Sequence, residues 1–567
     1  MPEPSGHIHL QQQCSACGDA FSCKEAFVSV LRSGDSVTVV GSYEFPFGRG
    51  ATDALNDRTG RTFTHCRPCV PCESATIHAD CFDLFRRSCT HAKGLHRLLR
   101  AAVWRSPWHG APKFKVCPEV DVHGSMLLAA RACHLPELAS MPPEIMCMIW
   151  RDAFAQPSLL GRYQSVVALA AESCDQDPDQ QTSLSVCNVA SWERGGRPLV
   201  EERDAPPFIR ITIDRRGVRR IERLVQRPEF LHRRSDTELY IVETREAMAG
   251  VDVLFQSGLA RLDLARTEVD LRPWDTRTPP PLESLSVRPA ISKSIQFATI
   301  HLARITGITF FMSAKSGTVF AIHTHTSQAP SAVPTFSRLS KHQQWQACWI
   351  HVPFTSGDRL THFGVRHVDS TSWHILVMKT PSCRFRFRGR TCPNTTQLRF
   401  EKAGDYIIGP HFEKDEEVQD SIWPVEDQLL LVCSISRTGS VLALNAFPQR
   451  SGTAVPPFAQ IDQIRLPPAF TQAFFSSAPL ENVVRLRVFT DHAKCCRGLL
   501  LEYEDGSKRS VGECRIGVDR QRVYRSPACI CIFQEATELY IKACYRLEHK
   551  HVAGDWTVLD VTFRHEL

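Results

Sequence analysis

The feature that most constrains how this chain can fold is the spacing of cysteines and histidines near its N-terminus. The chain has 567 residues and 23 cysteines, and three close groups stand out: Cys14-x2-Cys17, Cys66-x2-Cys69-x2-Cys72 and His78-x2-Cys81. Two thiolates that are two residues apart can chelate one tetrahedral Zn²⁺, because a tight turn brings both sulfurs to the same side. The spacing therefore predicts a small segment over residues 1–95 that folds around structural zinc.

The sequence leaves the choice of zinc ligands open. The preferred single site combines Cys14, Cys17, His78 and Cys81, and further candidate ligands are Cys66, Cys69 and Cys72, the last two in a second or alternative site. A four-ligand, thiolate-rich site has no open coordination position, so the expected role is structural rather than catalytic. The competing interpretation is a cluster of buried, metal-free thiols, which is common for cysteine in intracellular proteins.

Composition narrows the class of protein. Hydrophobic residues make up 43% and charged residues 23%, which is ordinary globular usage and excludes a disordered, collagen-like or coiled-coil chain. No apolar run reaches 18 residues, so we expect no membrane-spanning helix. The opening MPEPSGHIHLQQQ lacks the apolar core of a secretory signal, which predicts a cytoplasmic or nuclear protein with free thiols.

Three further blocks follow the zinc segment. Residues 96–172 have helical apolar spacing, residues 186–272 form a mixed α/β segment, and residues 290–567 alternate β-branched and aromatic residues with polar ones. The last block predicts a large antiparallel β-rich region, sandwich or prism-like, and a faint repeat within it suggests two related modules. The expected fold class is therefore multidomain α+β.

The helical block carries a recognisable segment, SMPPEIMCMIWRDAF, in which Ser140 is predicted to cap the helix N-terminus. A proline and a glutamate precede apolar residues at helical spacing, and this order resembles the opening of an F-box. The residues that match are Pro142, Pro143, Glu144, Ile145, Met148 and Ile149. The resemblance implies docking to a Skp1-type adaptor in a cullin-RING ubiquitin ligase. The alternative is a helical hairpin that only braces the zinc segment.

The order of the blocks is also similar to that of multidomain F-box-like proteins of filamentous fungi. These proteins join an N-terminal Cys/His segment, degenerate F-box-like helices and a β-rich C-terminal region. The stretches most like that group are HADCFDLF, ITIDRRGVRRIERLVQRP and GLLLEYEDG. The resemblance implies an architecture rather than an activity.

The predicted function is that of a non-enzymatic protein-interaction protein. The sequence contains no phosphate-binding loop, zincin helix, nucleophile elbow or dinucleotide-binding turn. The β-rich region is expected to hold a protein ligand, and no membrane partner is expected. One alternative is a zinc-containing nucleic-acid-associated protein, since residues 57–116 carry 11 basic and 4 acidic side chains; the mild net charge of +6 disfavours it. Another is a jacalin-like carbohydrate-binding module.

Two polar groups have plain interpretations. The arginines at 215, 216, 219, 220 and 223 are typical of a solvated strand face, with an anion-binding surface as the alternative. His323 and His325 are expected to be ordinary polar residues, because no third metal ligand stands near them in the sequence.

Overall fold

The computed structural model describes residues 7–45 except 12, 20, 23 and 34–35, residues 55–56, 62–64, 74–89 and 94–109, scattered residues of 111–130, residues 134–153 and 158–171, residues 181–280 with short gaps, and residues 296–301. It also describes residues 305–354 except 314–318, the strands between 362 and 447, residues 477–544 except 536–537, and residues 557–560. The chain divides into two compact units, residues 1–280 with 290–297, and residues 281–289 with 298–567.

The described chain is mostly β-structure in small sheets, and nearly all of the strand pairs are antiparallel. The strands up to residue 263 are β1 His7–His9, β2 Ala26–Ser33, β3 Ser36–Glu44, β4 Leu55–Asn56, β5 Thr62–Thr64, β6 Ser74–His78, β7 Thr182–Ser185, β8 Val189–Glu193, β9 Leu199–Val200, β10 Phe208–Asp214, β11 Gly217–Leu224, β12 Glu238–Thr244, β13 Asp252–Gln256 and β14 Leu259–Asp263.

The later strands confirm that the C-terminal region is β-rich and antiparallel, whereas sandwich or prism-like packing stays a prediction. They are β15 Gln296–His301, β16 Gly307–Ser313, β17 Val319–His325, β18 Ala347–Pro353, β19 His362–Val368, β20 His374–Lys379, β21 Arg384–Phe387, β22 Glu401–Ala403, β23 Tyr406–Ile408, β24 Val418–Pro424, β25 Leu430–Ile435, β26 Val441–Phe447, β27 Ser477–Pro479, β28 Val483–Thr490, β29 Cys496–Tyr503, β30 Lys508–Gly512, β31 Arg520–Arg525, β32 Cys529–Glu535, β33 Glu538–Cys544 and β34 Thr557–Asp560.

Helices are fewer, and they concentrate between residues 79 and 171. They are α1 Ala79–Ser88, α2 Gly94–Trp104, α3 Pro136–Ala139, α4 Pro143–Ala153, α5 Ser158–Ala171, α6 Val333–Ser337 and α7 Lys341–Gln346. Within the described part of the chain, none of these helices combines the length and the apolar character needed to cross a bilayer.

The N-terminal core forms where α1, α2 and α5 meet the three-stranded sheet β3-β2-β6. All five residues of β6 are buried, and both α1 and α2 contact this strand. In α1, Phe82 and Phe85 are one helical turn apart and both are buried. Asp80 in the first turn of α1 and two arginines in its last turn have the charges that the helix dipole favours at those ends. This core is the frame that holds the candidate metal ligands.

A five-stranded antiparallel sheet, β12-β10-β11-β8-β9, lies in the same unit. Ile209, Ile211 and Ile213 alternate with polar residues in β10, a pattern typical of a strand, and these three side chains are at most 1% exposed. Its polar residues are also buried: Arg210 on β10 pairs with Glu222 on β11 across the sheet. The burial of the Arg210 charge is tolerated because the carboxylate of Glu222 is paired with it.

The helix start predicted at Ser140 is wrong. Ser140 instead ends the short helix α3, where its hydroxyl donates to the carbonyl of Glu137 at 2.9 Å, and α4 begins at Pro143. The reason is steric, because a residue that precedes proline is disfavoured in the helical region. Met141 and Pro142 each precede a proline, so the helix cannot form before Pro143.

The second unit contains the sheets β17-β16-β18 and β30-β29-β28-β31. Every residue of β16 is buried, and Phe310 and Phe311 on opposite faces of this strand are both fully buried. Glu513 accepts a hydrogen bond from the backbone N–H of Trp349 at 3.1 Å and also pairs with Arg497. Strand β18 is thereby fixed to the segment that follows β30.

Candidate metal centre

The candidate metal centre is built from three segments of the N-terminal core. Cys14 and Cys17 lie on a tight turn closed by a hydrogen bond from the Gly18 N–H to the Cys14 carbonyl at 2.7 Å. His78 is the last residue of β6, and Cys81 lies in the first turn of α1. The turn stays against the sheet because the Ser15 N–H donates to the Thr76 carbonyl of β6 at 2.8 Å.

The four side chains converge on one point inside the protein. Their ligand atoms, three Sγ and one ring nitrogen, all lie within 4.8 Å of one another. The Nδ1 of His78 is 3.4 Å from the Sγ of Cys17 and 3.7 Å from the Sγ of Cys81. All four residues are at most 4% exposed.

These distances fit a tetrahedral zinc ion. With bonds of about 2.3 Å to sulfur and about 2.0 Å to imidazole nitrogen, neighbouring ligand atoms are roughly 3.5 Å apart. The group can therefore hold a metal ion, and its three sulfurs and one nitrogen are compatible with zinc.

The pKa values of the three thiols shift in different directions. Burial alone raises the pKa of Cys14, but hydrogen bonds from Cys17, Cys81 and His78 outweigh burial and hold this pKa well below its ordinary value. Burial, together with hydrogen bonding to Cys14, raises the pKa of Cys17. The hydrogen bond to Cys14 is the main cause that raises the pKa of Cys81. The cluster thus favours one thiolate at Cys14 and holds the remaining protons, which a bound cation would displace.

A second layer of charged residues orients the histidine. The Oε2 of Glu25 lies 3.4 Å from the Nε2 of His78, on the ring nitrogen opposite the sulfurs. Arg162 of α5 pairs with Glu25 at 2.8 Å and with Asp19 at 2.9 Å. Carboxylates in this position fix the tautomer of a metal-bound histidine and make it a better ligand. The ring of Phe21 packs on His78 with centroids 4.2 Å apart and closes one side of the cluster.

The structure brings together Cys14, Cys17, His78 and Cys81, the preferred single-site set. Cys66, Cys69 and Cys72 lie outside the described residues, so their part in a second or alternative site stays a prediction. Sequence reasoning missed Asp19, Glu25 and Arg162. Asp19 follows Cys17 by two residues, but Arg162 is more than 140 residues away, and no local pattern connects it with the cysteines.

Gly18 offers a direct test of how tightly the Cys14–Cys17 turn is packed. Gly18 has φ +81°, and a Cβ on it would lie 2.4 Å from the Nη2 of Arg105. Gly195 has φ +88° with nothing within 4 Å of the same position, which makes it a matched control. Because left-handed backbone alone costs about 1–2 kcal/mol, we expect Gly195→Ala to lower the free energy of unfolding by that amount.

Gly18→Ala should cost at least about twice as much, since Arg105 must also give up hydrogen bonds to the turn. Urea unfolding of both variants measures the difference. Equal losses would show that Arg105 does not pack tightly against this turn.

The arginines that follow β10 form ion pairs and backbone hydrogen bonds, and Arg219 and Arg220 also stay partly exposed. Arg215 pairs with Asp19, Arg219 with Glu238 at 2.7 Å, and Arg220 with Glu193 at 3.0 Å. Arg223 donates to two backbone carbonyls. The pair between Arg215 and Asp19 connects the turn after β10 with the segment that follows Cys17.

His323 and His325 are buried in a hydrogen-bonded network, a placement that the sequence around them does not indicate. His325 and His351, on β17 and β18, flank Thr309 of β16, whose hydroxyl is 2.7 Å and 3.1 Å from their ring nitrogens. His323 contacts the Thr335 hydroxyl at 2.8 Å and the Ala329 carbonyl at 3.1 Å. The network occupies the ring nitrogens of His323 and His325 with protein partners, so these two histidines are not placed as metal ligands.

Comparisons with protein-family models, with curated proteins and with solved structures give no match for this chain.

Proposed function

We propose that this is a non-enzymatic protein-interaction protein whose N-terminal part is folded by a structural zinc ion at Cys14, Cys17, His78 and Cys81. The observation that carries the proposal is the burial of all four candidate ligands, none more than 4% exposed. A catalytic zinc needs a coordination position that a substrate can reach, and four buried protein ligands leave none. Bound zinc would supply a cross-link between the Cys14–Cys17 turn, β6 and α1.

The residues around the cluster support this structural role. Arg162 connects α5 with Glu25 and Asp19, which lie close to the cluster. The charged pairs hold α5 against the N-terminal core, and α4 precedes α5 in the chain. The zinc ion would then stabilise the platform on which α4 is presented.

We further propose that α4 docks to a Skp1-type adaptor, which makes the chain a substrate-recruiting subunit of a cullin-RING ubiquitin ligase. What supports this is the F-box-like segment together with an exposed apolar surface. Ile145 and Met148, one helical turn apart on α4, are 41% and 56% exposed, whereas Met146 between them is fully buried. Leu135, shortly before α3, is 47% exposed. Apolar anchors of this kind contribute most of the binding energy in protein interfaces.

The β-rich C-terminal region is the part to which we assign the protein ligand. In this arrangement the N-terminal unit would contact the adaptor and the second unit would hold the substrate. The division follows the resemblance to F-box-like proteins and is compatible with two compact units in one chain.

A pull-down with purified Skp1 tests the adaptor proposal. We expect Ile145→Asp/Met148→Asp to reduce Skp1 capture at least about tenfold, because two charges would enter an apolar interface. The matched control is Leu199→Asp/Val200→Asp, since these residues of β9 are 64% and 51% exposed and lie away from the F-box-like segment. Wild-type protein that captures no Skp1, or capture that both double variants reduce equally, would contradict the proposal.

A further inference from the structure

We propose that the first unit binds a phosphate-type oxyanion in a narrow cleft lined by Arg105, Arg194 and Arg216, a site separate from the metal centre. The cleft lies where the end of α2, helix α5, the Cys14–Cys17 turn and the turns after β8 and β10 meet. Its other lining residues include Ser165 and Leu169 of α5. Among the described residues that line the cleft, three are arginines and none is acidic.

Two of the buried guanidinium nitrogens at the cleft have no hydrogen-bond acceptor among the described residues. Arg194 is 8% exposed, and its two terminal nitrogens hold Asp214 in a bidentate pair at 2.7 Å. Its Nε is buried and makes no hydrogen bond within the described residues. The Nη2 of Arg105 is likewise buried without a hydrogen-bond partner there. Buried guanidinium N–H groups without an acceptor are costly, and an anion at the cleft would satisfy them.

The positive charge of the arginines around the cleft is only partly balanced. Arg105 donates to three carbonyl oxygens, those of Cys14 at 3.3 Å, Ser15 at 2.9 Å and Arg215 at 2.7 Å. These acceptors carry no formal charge, and the nearby carboxylates are already shared: Asp214 pairs with Arg194, and Asp19 pairs with Arg162 and Arg215.

The same imbalance is visible in the proton affinity of Arg216. Burial and then the positive charges of Arg105 and Arg219 lower the pKa of Arg216 to about 10. A buried guanidinium whose charge is disfavoured by neighbouring arginines marks a place where a negative charge is favourable.

The size of the cleft limits what it can hold. It encloses about 290 Å³ including the solvent at its mouth, and its interior is only wide enough for about one water-sized group. A phosphate group fits by inserting one oxygen, and planar guanidinium groups match such oxygens geometrically.

Thermal unfolding of the full chain in inorganic phosphate, with chloride at equal ionic strength as the reference, tests the site. At about ten times its dissociation constant, phosphate should raise the unfolding midpoint by roughly 2–4 °C above the chloride reference. Ser165→Leu, which fills the cleft without a charge change, and Arg216→Gln should both remove this rise. Arg220→Gln is the control, because Arg220 is 42% exposed and does not line the cleft.

Three results would overturn the proposal: no phosphate-specific rise in the wild type, an equal rise in chloride, or a full rise in Ser165→Leu. Zinc content measured on the same samples separates this site from the metal centre. Ser165→Leu should keep its zinc and lose only the phosphate response, whereas loss of both would indicate misfolding. In that case direct titration of phosphate into Arg216→Gln decides, and unchanged affinity there contradicts the site.

Discussion

Cys17→Ser is expected to unfold the N-terminal core rather than merely weaken it. Cys17 is fully buried and lies in the same core cluster as Phe27, Ile77 and Phe85. A structural zinc site contributes about 10–16 kcal/mol of apparent binding free energy. That is as large as the whole stability of a typical domain, about 5–15 kcal/mol. Loss of one ligand should therefore release the metal and the fold that depends on it.

Hydrogen exchange of the full chain, read by mass spectrometry, measures this effect locally. In Cys17→Ser, or in wild-type protein after chelation, peptides over 26–33 and 74–88 should lose their protection, whereas peptides over 483–503 in the second unit should keep it. The control is Cys89→Ser, since Cys89 directly follows α1 but is not one of the four clustered side chains. If the two variants exchange alike, the cluster does not hold the core together.

Acidification below about pH 6.5 should selectively destabilise the sheet β17-β16-β18. The Nδ1–H of His325 donates to the Pro330 carbonyl at 2.8 Å, and in the neutral ring its Nε2 accepts from the Thr309 hydroxyl at 2.7 Å. Burial lowers the pKa of His325 below its ordinary value of 6.5. Burial, followed by repulsion from His325, His323 and Lys508, holds the pKa of His351 well below 6.5.

The direction in which stability changes with pH follows from proton linkage. Below pH 6.5 these histidines become protonated in the unfolded chain but stay neutral in the folded sheet. Because the unfolded state then binds more protons, the free energy of unfolding decreases as the pH is lowered. Each histidine contributes up to about 1.4 kcal/mol per pH unit over the interval between its unfolded and folded pKa. Above pH 6.5 both states are neutral, and this contribution is constant.

Hydrogen exchange of peptides over 307–313 and 347–353 between pH 7.5 and 5, corrected for the intrinsic pH dependence of exchange, measures this loss. His351→Gln should flatten the pH dependence even if it lowers stability at neutral pH. His492→Gln, at an exposed position of the same unit, should leave it unchanged. An equal pH slope in wild type and His351→Gln would contradict the role of the network.

The candidate metal ligands could be predicted because pairs of them are separated by short, fixed spacings. Two residues between thiolates, and between His78 and Cys81, are enough to suggest a shared ion before any fold is known. The spacing could not choose among seven candidate ligands. The pairing of β2 with β6 and the position of α1 bring four of them together, and these are tertiary facts.

The surrounding layer could not be predicted for the same physical reason. Arg162 reaches Glu25 and Asp19 only because α5 packs on the N-terminal core. The sequence near residue 162 does not indicate these partners. The buried histidine network could not be predicted either, because strand pairing brings His351 and His325 to the two sides of Thr309. The misplaced cap at Ser140 was a local error, in which the preference of serine for N-caps was outweighed by two successive prolines.

The β-rich fold class was visible in the alternation of residues, but the assembly of its strands was not. In β10 the polar positions Arg210 and Thr212 are buried together with the isoleucines, so alternation alone misjudged which faces are covered. Ion pairs across the sheet make this burial tolerable, and they depend on the register of β10 against β11.

Metal analysis of the purified full chain, next to Cys14→Ser/Cys81→Ser and Cys89→Ser, tests whether the buried cluster holds zinc. We expect the wild type and Cys89→Ser each to carry about one zinc ion per chain more than the double variant, because only the latter loses ligands of the buried cluster. A wild type with less than about 0.3 zinc per chain under reducing conditions, or equal zinc in all three proteins, would contradict it.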